Sequence, residues 1–370
     1  MTKRPKAIKV CIVLFGLGLF FGSRSYGEPL EPVRFSSLLS ALRSIPPLAF
    51  CDEALPMENQ EVHERLEKEL LLALWDRPQV ILWLKRTRRY LPPIEKMLQQ
   101  HGMPDDLKYI AIVESALRAH AGSKKGAMGF WQFTTYTARK YGLEVNPRID
   151  ERRNLFASTQ AAIRYLRELY AAFGSWTLVA AAYNMGEDGL MGAILEQETT
   201  NYYDLYLPLE TQRYVARILS AKLILSHPEK YGFSLREKDY YPPLYVDRID
   251  LQFPQDIPIR IVATAAKTHF KMIKDLNPEI RGYYLPEGHR RILLPRGVSK
   301  DFKSRYAELL KRWLAERGEK IYVVQKGDTL SGIAARFNVP LTAILIWNRL
   351  APRKPIHPGD ELIVHRRTLP

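Results

Sequence analysis

One carboxylate stands out in the sequence because of the residues around it. Glu114 is the only ionisable group in the run 110–117, which is otherwise apolar or small and has helical character. Burial disfavours the charged form of a carboxyl group and so raises its pKa. A glutamate in such a setting can donate a proton near neutral pH, which is the task of a general acid. The alternative from this segment alone is a structural glutamate that pairs with an arginine or caps a backbone group.

Two further segments combine polar side chains with small or aromatic neighbours. The first is a loop of small residues that begins at Ser123 and carries Gln132 at the start of an aromatic-rich stretch. The second contains Tyr183 and Asn184 in a Tyr-Asn-x-Gly sequence, which on its own most often marks a helix C-terminal cap. Each segment is a weak signal alone, so the information lies in their order and spacing after Glu114.

In this order and spacing, the three segments resemble the Glu-Ser, Gly-x-x-Gln and Ala-Tyr-Asn motifs of the lytic transglycosylase domain, which has a lysozyme-like fold. The resemblance spans roughly residues 103–231. Residues 207–215 are further similar to the membrane-bound lytic murein transglycosylase D group. Trp131 and Met185 depart from the Met and Ala that many relatives have there, and we expect these two changes to affect glycan-subsite preference and not the reaction.

The resemblance implies a role for each matched position. Glu114 would be the catalytic acid and base. The other matched positions would bind substrate or position the carboxyl. Ser115 is the motif neighbour of Glu114, and the positions that line the sugar-binding cleft are Ser123, Gln132, Tyr183 and Asn184.

The resemblance also implies a reaction that consumes no water. Glu114 would protonate the glycosidic oxygen between N-acetylmuramic acid and N-acetylglucosamine and then deprotonate the muramic C6 hydroxyl, which closes onto C1 as an anhydro ring. Most glycosidases instead need two carboxyl groups. A lysozyme-type hydrolase is the second hypothesis, and it would need a second carboxylate across the cleft. A catalytically silent wall-binding scaffold is the third hypothesis. The candidates, none in a comparably apolar setting, are Glu144, Asp150, Glu151, Glu187 and Glu210.

The C-terminal segment has the pattern of a strand, two short helices and a strand. A Gly-Asp-Thr-Leu turn and the stretch from Asn348 to Gly359 make it closely resemble a LysM module, a binder of glycans that contain N-acetylglucosamine, over nearly all of residues 320–365. A βααβ unit without a ligand is the alternative. The resemblance implies a glycan groove between two loops, with binding residues Gly327, Asp328, Thr329, Leu330, Pro352 and Ile356.

A weaker internal sequence similarity to this module precedes it in the chain. An ungapped shift of 71 residues, the separation of Asn277 from Asn348, also pairs Gly288 with Gly359 and Ile292 with Ile363. We therefore consider a degenerate LysM-like unit around residues 257–295. Its first turn lacks the Gly-Asp-Thr-Leu sequence, which argues against binding there, and a chance alignment of apolar helices is the alternative.

The elements that must position Glu114 are helices. Apolar residues recur at helical spacing from Leu66 to Leu98, and Pro78 and the pair Pro92-Pro93 are expected to interrupt these helices. Asp105 is expected to cap the helix that carries Glu114. Further helices are predicted at 154–173, 176–184 and 208–226, so the catalytic region is all-α.

Composition changes after residue 232, where Pro and β-branched or aromatic residues predict short strands, and a charged helix follows at 299–317. We predict an α+β multidomain chain in which an all-α lysozyme-like catalytic domain precedes small βααβ LysM modules. The predicted segments are a signal peptide (1–27), an N-terminal helical segment (28–102), the lytic transglycosylase domain (103–232), a linker region with the degenerate unit (233–298), a helical linker (299–319) and the LysM domain (320–366).

The first 27 residues have the pattern of a secretory signal, with basic residues before a short apolar run at 10–21. An uncleaved anchor is the alternative. Export places the protein in the periplasm or cell envelope, in contact with the wall. Phe50 before Cys51 argues against lipid attachment, and signal removal would leave Cys51 without a partner for an internal disulfide.

The chain is basic, with 55 Lys and Arg against 40 Asp and Glu, a formal net charge of +15. This balance favours polyanionic surroundings such as wall polymer, acidic lipid or nucleic acid. Export and two glycan-directed modules indicate peptidoglycan strands as the partner and argue against nucleic acid. The eight His residues are scattered without metal-ligand spacing, so neither a metal nor another cofactor is expected.

Overall fold

The computed structural model describes residues 37–316 and 321–364, so the predicted signal peptide lies outside the described residues. Residues 37–232 form a helical domain with one short hairpin, β1 (Ala49–Phe50) and β2 (Glu53–Ala54). Its helices are α1 (Leu38–Arg43), α2 (Gln60–Trp75), α3 (Arg77–Gln100), α4 (Lys108–Ser115), α5 (Thr135–Lys140), α6 (Leu155–Phe173), α7 (Trp176–Met185), α8 (Glu187–Gln197) and α9 (Leu209–Ser226).

Local sequence explains where several of these helices begin and end. Asn59 and Asn154 cap α2 and α6, and each side chain accepts hydrogen bonds from two backbone N–H groups. Gly174 ends α6 in the left-handed conformation that glycine adopts without a steric penalty. Ser175 follows at once as the N-cap of α7. The sequence prediction of helices at 154–173, 176–184 and 208–226 therefore agrees with α6, α7 and α9.

Two predicted helix boundaries are wrong. Pro92 and Pro93 do not interrupt the helix, because α3 continues through both residues. Each proline removes a backbone donor, and the burial of Leu91, Ile94 and Leu98 against the core offsets this loss. Asp105 does not cap α4. It lies in a 3-10 turn before that helix, and its carboxylate binds Lys108 at 2.6 Å.

Helix α7 lies at the centre of the helical domain. It packs against α6 on one side and α9 on another, and α9 also packs against α2 and α4. Residues Thr177 to Ala182 of α7 are all buried. The three consecutive alanines in this stretch have small side chains, so the neighbouring helices approach closely. This packing brings α4, which carries Glu114, next to α9.

A second unit follows, with its own apolar core. Its main sheet is an antiparallel pair in which Phe253 lies opposite Gly288, and α12 packs against α10. We name residues 246–295 the central unit. The elements of this region are β3 (Val246–Phe253), β4 (Ile257–Pro258), α10 (Ile259–Ala265), α11 (Phe270–Leu276), β5 (Tyr284–Leu285), β6 (Gly288–Pro295) and α12 (Phe302–Glu316).

The C-terminal module, residues 321–364, contains the predicted strand, two helices and strand. Its antiparallel pair joins Ile321 to Ile363, and a third, small core lies between the sheet and the helices. Its elements are β7 (Ile321–Val323), α13 (Leu330–Arg336), α14 (Leu341–Asn348) and β8 (Glu361–Ile363). The predicted fold class, a helical catalytic domain followed by a small module with strands, is confirmed.

The central unit and the C-terminal module share one buried hydrogen-bond pattern. The Asn277 amide donates to the carbonyls of Ile273 and Leu293 and accepts from Leu293 N–H. Asn348 bonds in the same way to Ile344 and Ile363. The bonds therefore match Leu293 with Ile363, whereas the ungapped shift matched Ile292. The reason is that Asn277 bonds to a strand residue 16 positions further on, whereas Asn348 bonds to one 15 positions further on.

Among the described residues, no single helix has both the length and the hydropathy of a membrane span. The pair α13 and α14, bent by 109° at the break between them, reaches these values only when both helices are counted together.

Candidate active site

Glu114 lies in the last turn of α4, next to an abrupt change of backbone direction. Ala116 and Leu117 follow with φ of 53° and 56°, in the left-handed region that non-glycine residues seldom adopt. The carbonyl of Ala116 accepts a hydrogen bond from Arg86 at 3.2 Å, which helps to hold this turn. Backbone strain of this kind persists only where the surrounding structure enforces it, and it is common at functional sites.

The carboxyl group of Glu114 is buried, while the residue as a whole is half-buried. Tyr214 on α9 donates a hydrogen bond from its hydroxyl to Glu114 Oε1 at 2.5 Å. Burial raises the pKa of Glu114 above its ordinary value, and the negative charge of Glu210 acts in the same direction. The Tyr214 hydrogen bond and the positive charge of Arg217 lower that pKa without cancelling the effect of burial. The carboxyl is therefore an acid that keeps its proton to a higher pH than a solvated glutamate.

Tyr183 connects α7 to the loop that carries Gln132. Its hydroxyl donates to the carbonyl of Trp131 at 2.6 Å, and its ring packs 5.4 Å from that of Tyr165. Burial, followed by the negative charge of Glu114, raises the pKa of Tyr183 well above its ordinary range. Tyr183 is therefore a neutral donor close enough to Glu114 to respond to its charge.

The loop 122–133 is held by backbone and side-chain contacts from a neighbouring segment. A side chain cannot replace the hydrogen of Gly129, because a Cβ there would lie 1.8 Å from the carbonyl oxygen of Arg152. The Arg152 guanidinium donates to the carbonyls of Gly126 and Phe133, at 2.9 and 3.2 Å, and is paired with buried Asp150. This arginine therefore sets the shape of the loop.

Within that loop, Gln132 has a φ of 49° and its amide donates to the carbonyls of Ala121 and Gly129 at 3.0 and 2.9 Å. Ser123 is exposed, and its hydroxyl accepts from the N–H of Ala127 at 3.1 Å. Both side chains thus stabilise the loop that they belong to. Gln132 is only partly exposed, whereas Ser123 faces solvent.

The remaining two predicted positions bond within the helical framework. Ser115 is buried, and its hydroxyl donates to the carbonyl of Ala111 at 2.9 Å. Asn184 accepts a hydrogen bond from Thr211 at 2.8 Å, which joins the end of α7 to α9. The charge of Glu114 thus affects the pKa of Tyr183, whereas the Ser115 hydroxyl is bonded to its own helix.

Most of the candidate second carboxylates are used by structural partners. Glu144 pairs with Arg290, and Glu187 pairs with Lys140. Asp150 is buried against Arg152, and Glu151 accepts a bond from the Glu144 N–H at 2.7 Å. Glu210 is exposed, and among the five it is the one whose charge raises the pKa of Glu114.

Sequence reasoning missed the roles of Tyr214 and Arg217. Both lie on α9, and Glu210, Tyr214 and Arg217 follow each other at the i, i+4, i+7 spacing of one helix face. Tyr214 lies in the stretch 207–215 that is similar to the murein transglycosylase group, so the signal was present. What the sequence did not show is that this face of α9 lies against Glu114.

In the C-terminal module, a positive φ and local hydrogen bonds shape the predicted turn from Gly327 to Leu330. Gly327 has a φ of 92°. The Asp328 carboxylate accepts bonds from Tyr322 and the Gln325 N–H, at 2.6 and 2.8 Å. Thr329 caps α13 by accepting from the Gly332 N–H at 3.0 Å. Leu330 and Ile356 pack against the module core, and Pro352 is exposed in the facing loop.

In the described part of the chain, no three His, Cys, Asp or Glu residues are grouped so that they could hold a metal ion.

Comparison with known proteins identifies two domain families in the chain. The Transglycosylase SLT domain family matches residues 92–205, and the LysM domain family matches residues 322–365. The membrane-bound lytic murein transglycosylase D of Escherichia coli is 31% identical over 333 residues, which cover 85% of this chain and 72% of that protein. A putative tributyltin chloride resistance protein of an Alteromonas species is 33% identical over 117 residues, or 31% of this chain and 56% of that protein.

Among solved structures, an inactive mutant of the lytic transglycosylase Slt from Pseudomonas aeruginosa overlaps 42% of this chain and 26% of its own, with 18% identity. The TM-score of this superposition is 0.29.

A Transglycosylase SLT domain joined to a LysM domain defines an enzyme of the lytic transglycosylase class. The sequence identity with the Escherichia coli protein, and the share of that protein that is covered, then assign the family. The chain belongs to the family of the membrane-bound lytic murein transglycosylase D, which confirms the resemblance found in the sequence motifs.

Proposed function

We propose that Glu114 is the acid and base with which this enzyme cleaves peptidoglycan glycan strands between N-acetylmuramic acid and N-acetylglucosamine. Membership of the lytic murein transglycosylase family carries the class of reaction. The observation that supports the residue is the buried carboxyl of Glu114, whose pKa is raised by burial and whose Oε1 accepts a hydrogen bond from the Tyr214 hydroxyl. A carboxyl in this state donates a proton at a pH where a solvated glutamate is ionised.

The proposed reaction has two proton transfers through the same carboxyl group. In the first, Glu114 protonates the glycosidic oxygen, the C1–O bond breaks, and the N-acetylglucosamine side leaves as an alcohol. In the second, the Glu114 carboxylate takes the proton of the muramic C6 hydroxyl as that oxygen bonds to C1. The product has a 1,6-anhydro ring, Glu114 is again protonated, and no water is consumed.

The neighbours of Glu114 suit both steps. Tyr214 remains protonated, since burial and then the charge of Glu114 raise its pKa well above the ordinary value. It therefore holds one carboxyl oxygen in place in both protonation states and leaves the other for the substrate. Arg217 adds a positive charge that favours the carboxylate formed after the first step. Positioning of this kind is worth large factors in rate, because errors of about 1 Å are costly.

A hydrolytic mechanism of the lysozyme type is the second candidate, and Glu210 is the carboxylate that favours it. Four of the five alternatives are engaged by arginine, lysine or backbone partners, whereas Glu210 is exposed and affects the pKa of Glu114. A hydrolase would use such a group to activate water. The two mechanisms differ in product, because only the first yields anhydro-muramic ends.

We further propose that the C-terminal module binds the wall glycan in the groove between the Gly327 to Leu330 turn and the loop from Pro352 to Ile356. The support is the LysM domain match and the packing of Leu330 and Ile356, one from each loop, against the core of the module. The predicted signal peptide, export to the cell envelope and the segment boundaries given above complete the proposal. The membrane-bound relative supports an envelope location.

The decisive experiment compares products and rates of the wild-type enzyme with Glu114→Gln on purified sacculi. The amide keeps the shape of the side chain but has no proton to transfer, so we expect turnover to fall by about 10² to 10⁴ or more. Glu168→Gln, an exposed glutamate of the same domain, is the control and should retain activity. Mass spectrometry of wild-type products should show anhydro-muramic ends, and reducing muramic ends would indicate the hydrolase. Wild-type turnover by folded Glu114→Gln protein would exclude Glu114 as the acid.

A further inference from the structure

The central unit has the strand, helix, helix, strand order of the C-terminal module, but the loops that would bind a glycan are joined to each other. In the order of elements, the Gly327 to Leu330 turn leads into α13 as residues 256–259 lead into α10, and the facing loop between α14 and β8 corresponds to the loop between α11 and β6, which includes residues 281–285. These two stretches form the β4–β5 pair, in which Ile257 lies opposite Leu285, and the Ile259 N–H donates to the carbonyl of Tyr283 at 3.0 Å. Backbone pairing therefore closes the place where a sugar would lie.

The same loops contact the two neighbouring domains. Asp256 lies in the first loop, and its side chain is only 12% exposed. It accepts hydrogen bonds from Arg148 of the helical domain at 3.0 and 3.2 Å, and from Arg349 of the C-terminal module. Its third donor is the Glu287 N–H at 2.8 Å. One carboxylate thus bonds to three parts of the chain.

Tyr284, in the second loop, adds two further contacts to the C-terminal module. Its hydroxyl donates to the carbonyl of Trp347 at 3.2 Å. The Arg349 guanidinium lies over its ring at 4.5 Å, a distance at which a cation and an aromatic face attract each other. Arg349 therefore bonds to the central unit both through charge and through the ring of Tyr284.

The central unit also bonds to the helical domain through backbone groups. The Asp150 N–H donates to the carbonyl of Glu279 at 2.9 Å, and the Arg281 N–H donates to the carbonyl of Arg148 at 2.8 Å. Ile149, between these bonds, is buried in the core of the central unit. Asp150 also holds Arg152, which shapes the loop of Gln132. The central unit is therefore continuous with the support of the active site.

We propose that the central unit is an adaptor whose two paired loops, 256–259 and 281–285, bind the neighbouring domains instead of a glycan. In this proposal Asp256 holds the helical domain and the C-terminal module together through Arg148 and Arg349, and we name these contacts the clasp. The clasp gives a glycan bound by the module one fixed direction relative to Glu114. The docking itself is independent of the reaction, whereas its effect on rate rests on the proposed function. A fixed geometry raises the effective concentration of one strand at the active site above that of a loose tether.

Two variants test the clasp from its two sides. Arg349 has a φ of 54°, so Arg349→Asn keeps a residue that tolerates this conformation and removes the guanidinium. Asp256→Lys places a positive charge between Arg148 and Arg349 and repels both. Asp250→Asn is the control, because Asp250 is an exposed residue of the same unit that pairs with Arg291 outside the clasp. Circular dichroism and melting temperature establish that each variant is folded.

Small-angle X-ray scattering measures docking without catalysis. We expect a larger radius of gyration for Arg349→Asn and a still larger one for Asp256→Lys, with Asp250→Asn equal to wild type. Loss of one ion pair shifts the ratio of docked to released module by up to about fivefold. Unchanged scattering of folded Asp256→Lys would overturn the proposal.

Rates supply the second readout. Both clasp variants should bind sacculi as the wild type does, since the module groove is untouched, but cut them up to about fivefold more slowly. Their turnover of short soluble glycan chains should equal that of the wild type, which separates loss of orientation from damage to Glu114. Wild-type rates on sacculi in a variant whose scattering shows release would refute the effect on orientation. Inactivity of wild-type enzyme on both substrates would contradict the proposed function and leave the scattering result standing.

Discussion

Glu279 offers a quantitative test of how the central unit joins the helical domain. Its side chain is buried, and its Oε2 has no hydrogen-bond partner among the described residues. Burial raises the pKa of Glu279 from 4.5 to about 7, the nearby charge of Glu151 acts in the same direction, and a bond from Asn154 and the charge of Lys274 oppose it. Its own carbonyl accepts the Asp150 N–H, so the residue lies at the junction itself.

The sign and size of the effect follow from linkage. A carboxyl whose folded-state pKa is raised stabilises the folded state while it is protonated, and this contribution is lost as pH rises from the unfolded pKa to the folded one. A rise from 4.5 to about 7 corresponds to about 3 kcal/mol. Glu279→Gln removes the ionisation. We therefore expect the variant to gain about 3 kcal/mol relative to wild type between pH 4 and pH 8.

Hydrogen exchange of the slowest amides in β3 and β6 measures the opening of this unit at both pH values. The comparison of two pH values cancels any constant cost of the new amide group. Glu287→Gln, an exposed residue of the same unit, is the control and should show no pH-dependent gain. If wild type and Glu279→Gln lose stability in parallel between pH 4 and pH 8, the buried carboxyl is not the source and the reasoning fails.

Three further predictions concern the active site and the module. Tyr214→Phe removes a bond that lowers the Glu114 pKa, so we expect slower turnover and a basic limb of the pH–rate profile moved to higher pH; an unmoved limb would contradict this role. Gln132→Ala and Tyr183→Phe should slow turnover per folded molecule by misplacing substrate and carboxyl, and a lower melting temperature with unchanged turnover would instead indicate packing. Deletion of residues 322–370 should leave a folded enzyme that cuts soluble glycan chains normally and binds sacculi poorly, since the module has its own core. Equal sacculus binding by both forms would assign wall attachment to another surface.

Much of the fold could be predicted because its determinants are local. The helices α6, α7 and α9 follow from apolar periodicity with capping Asn154, Ser175 and Gly174, which act within a few residues of themselves. The prediction was wrong at Pro92 and Pro93, where burial of one helix face outweighs the two missing donors. That balance depends on partners far away in the chain, so a proline taken alone predicts an interruption.

The catalytic site divides in the same way. Glu114, Tyr183 and the loop of Gln132 were proposed from motif order and spacing, because an apolar run around one carboxylate and a short loop are properties of contiguous residues. Tyr214 was not given a role, since it lies 100 residues from Glu114 and meets it only where α4 packs against α9. The raised pKa of Glu114 was predicted in direction from its apolar neighbours, whereas the opposing influences of Tyr214 and Arg217 required the packed structure.

The sequence by itself determined the two chemical modules, the family and the identity of the proposed acid, because these rest on residue types at short, fixed spacing. It also indicated a repeat around Asn277, although the strand register differs by one residue from the ungapped shift. Only the tertiary structure decided that the loops of the central unit close on each other and that Asp256 meets both Arg148 and Arg349, residues 108 and 93 positions away. The reason is physical: an ion pair between distant segments depends on how separate cores pack together, and no local pattern encodes that packing.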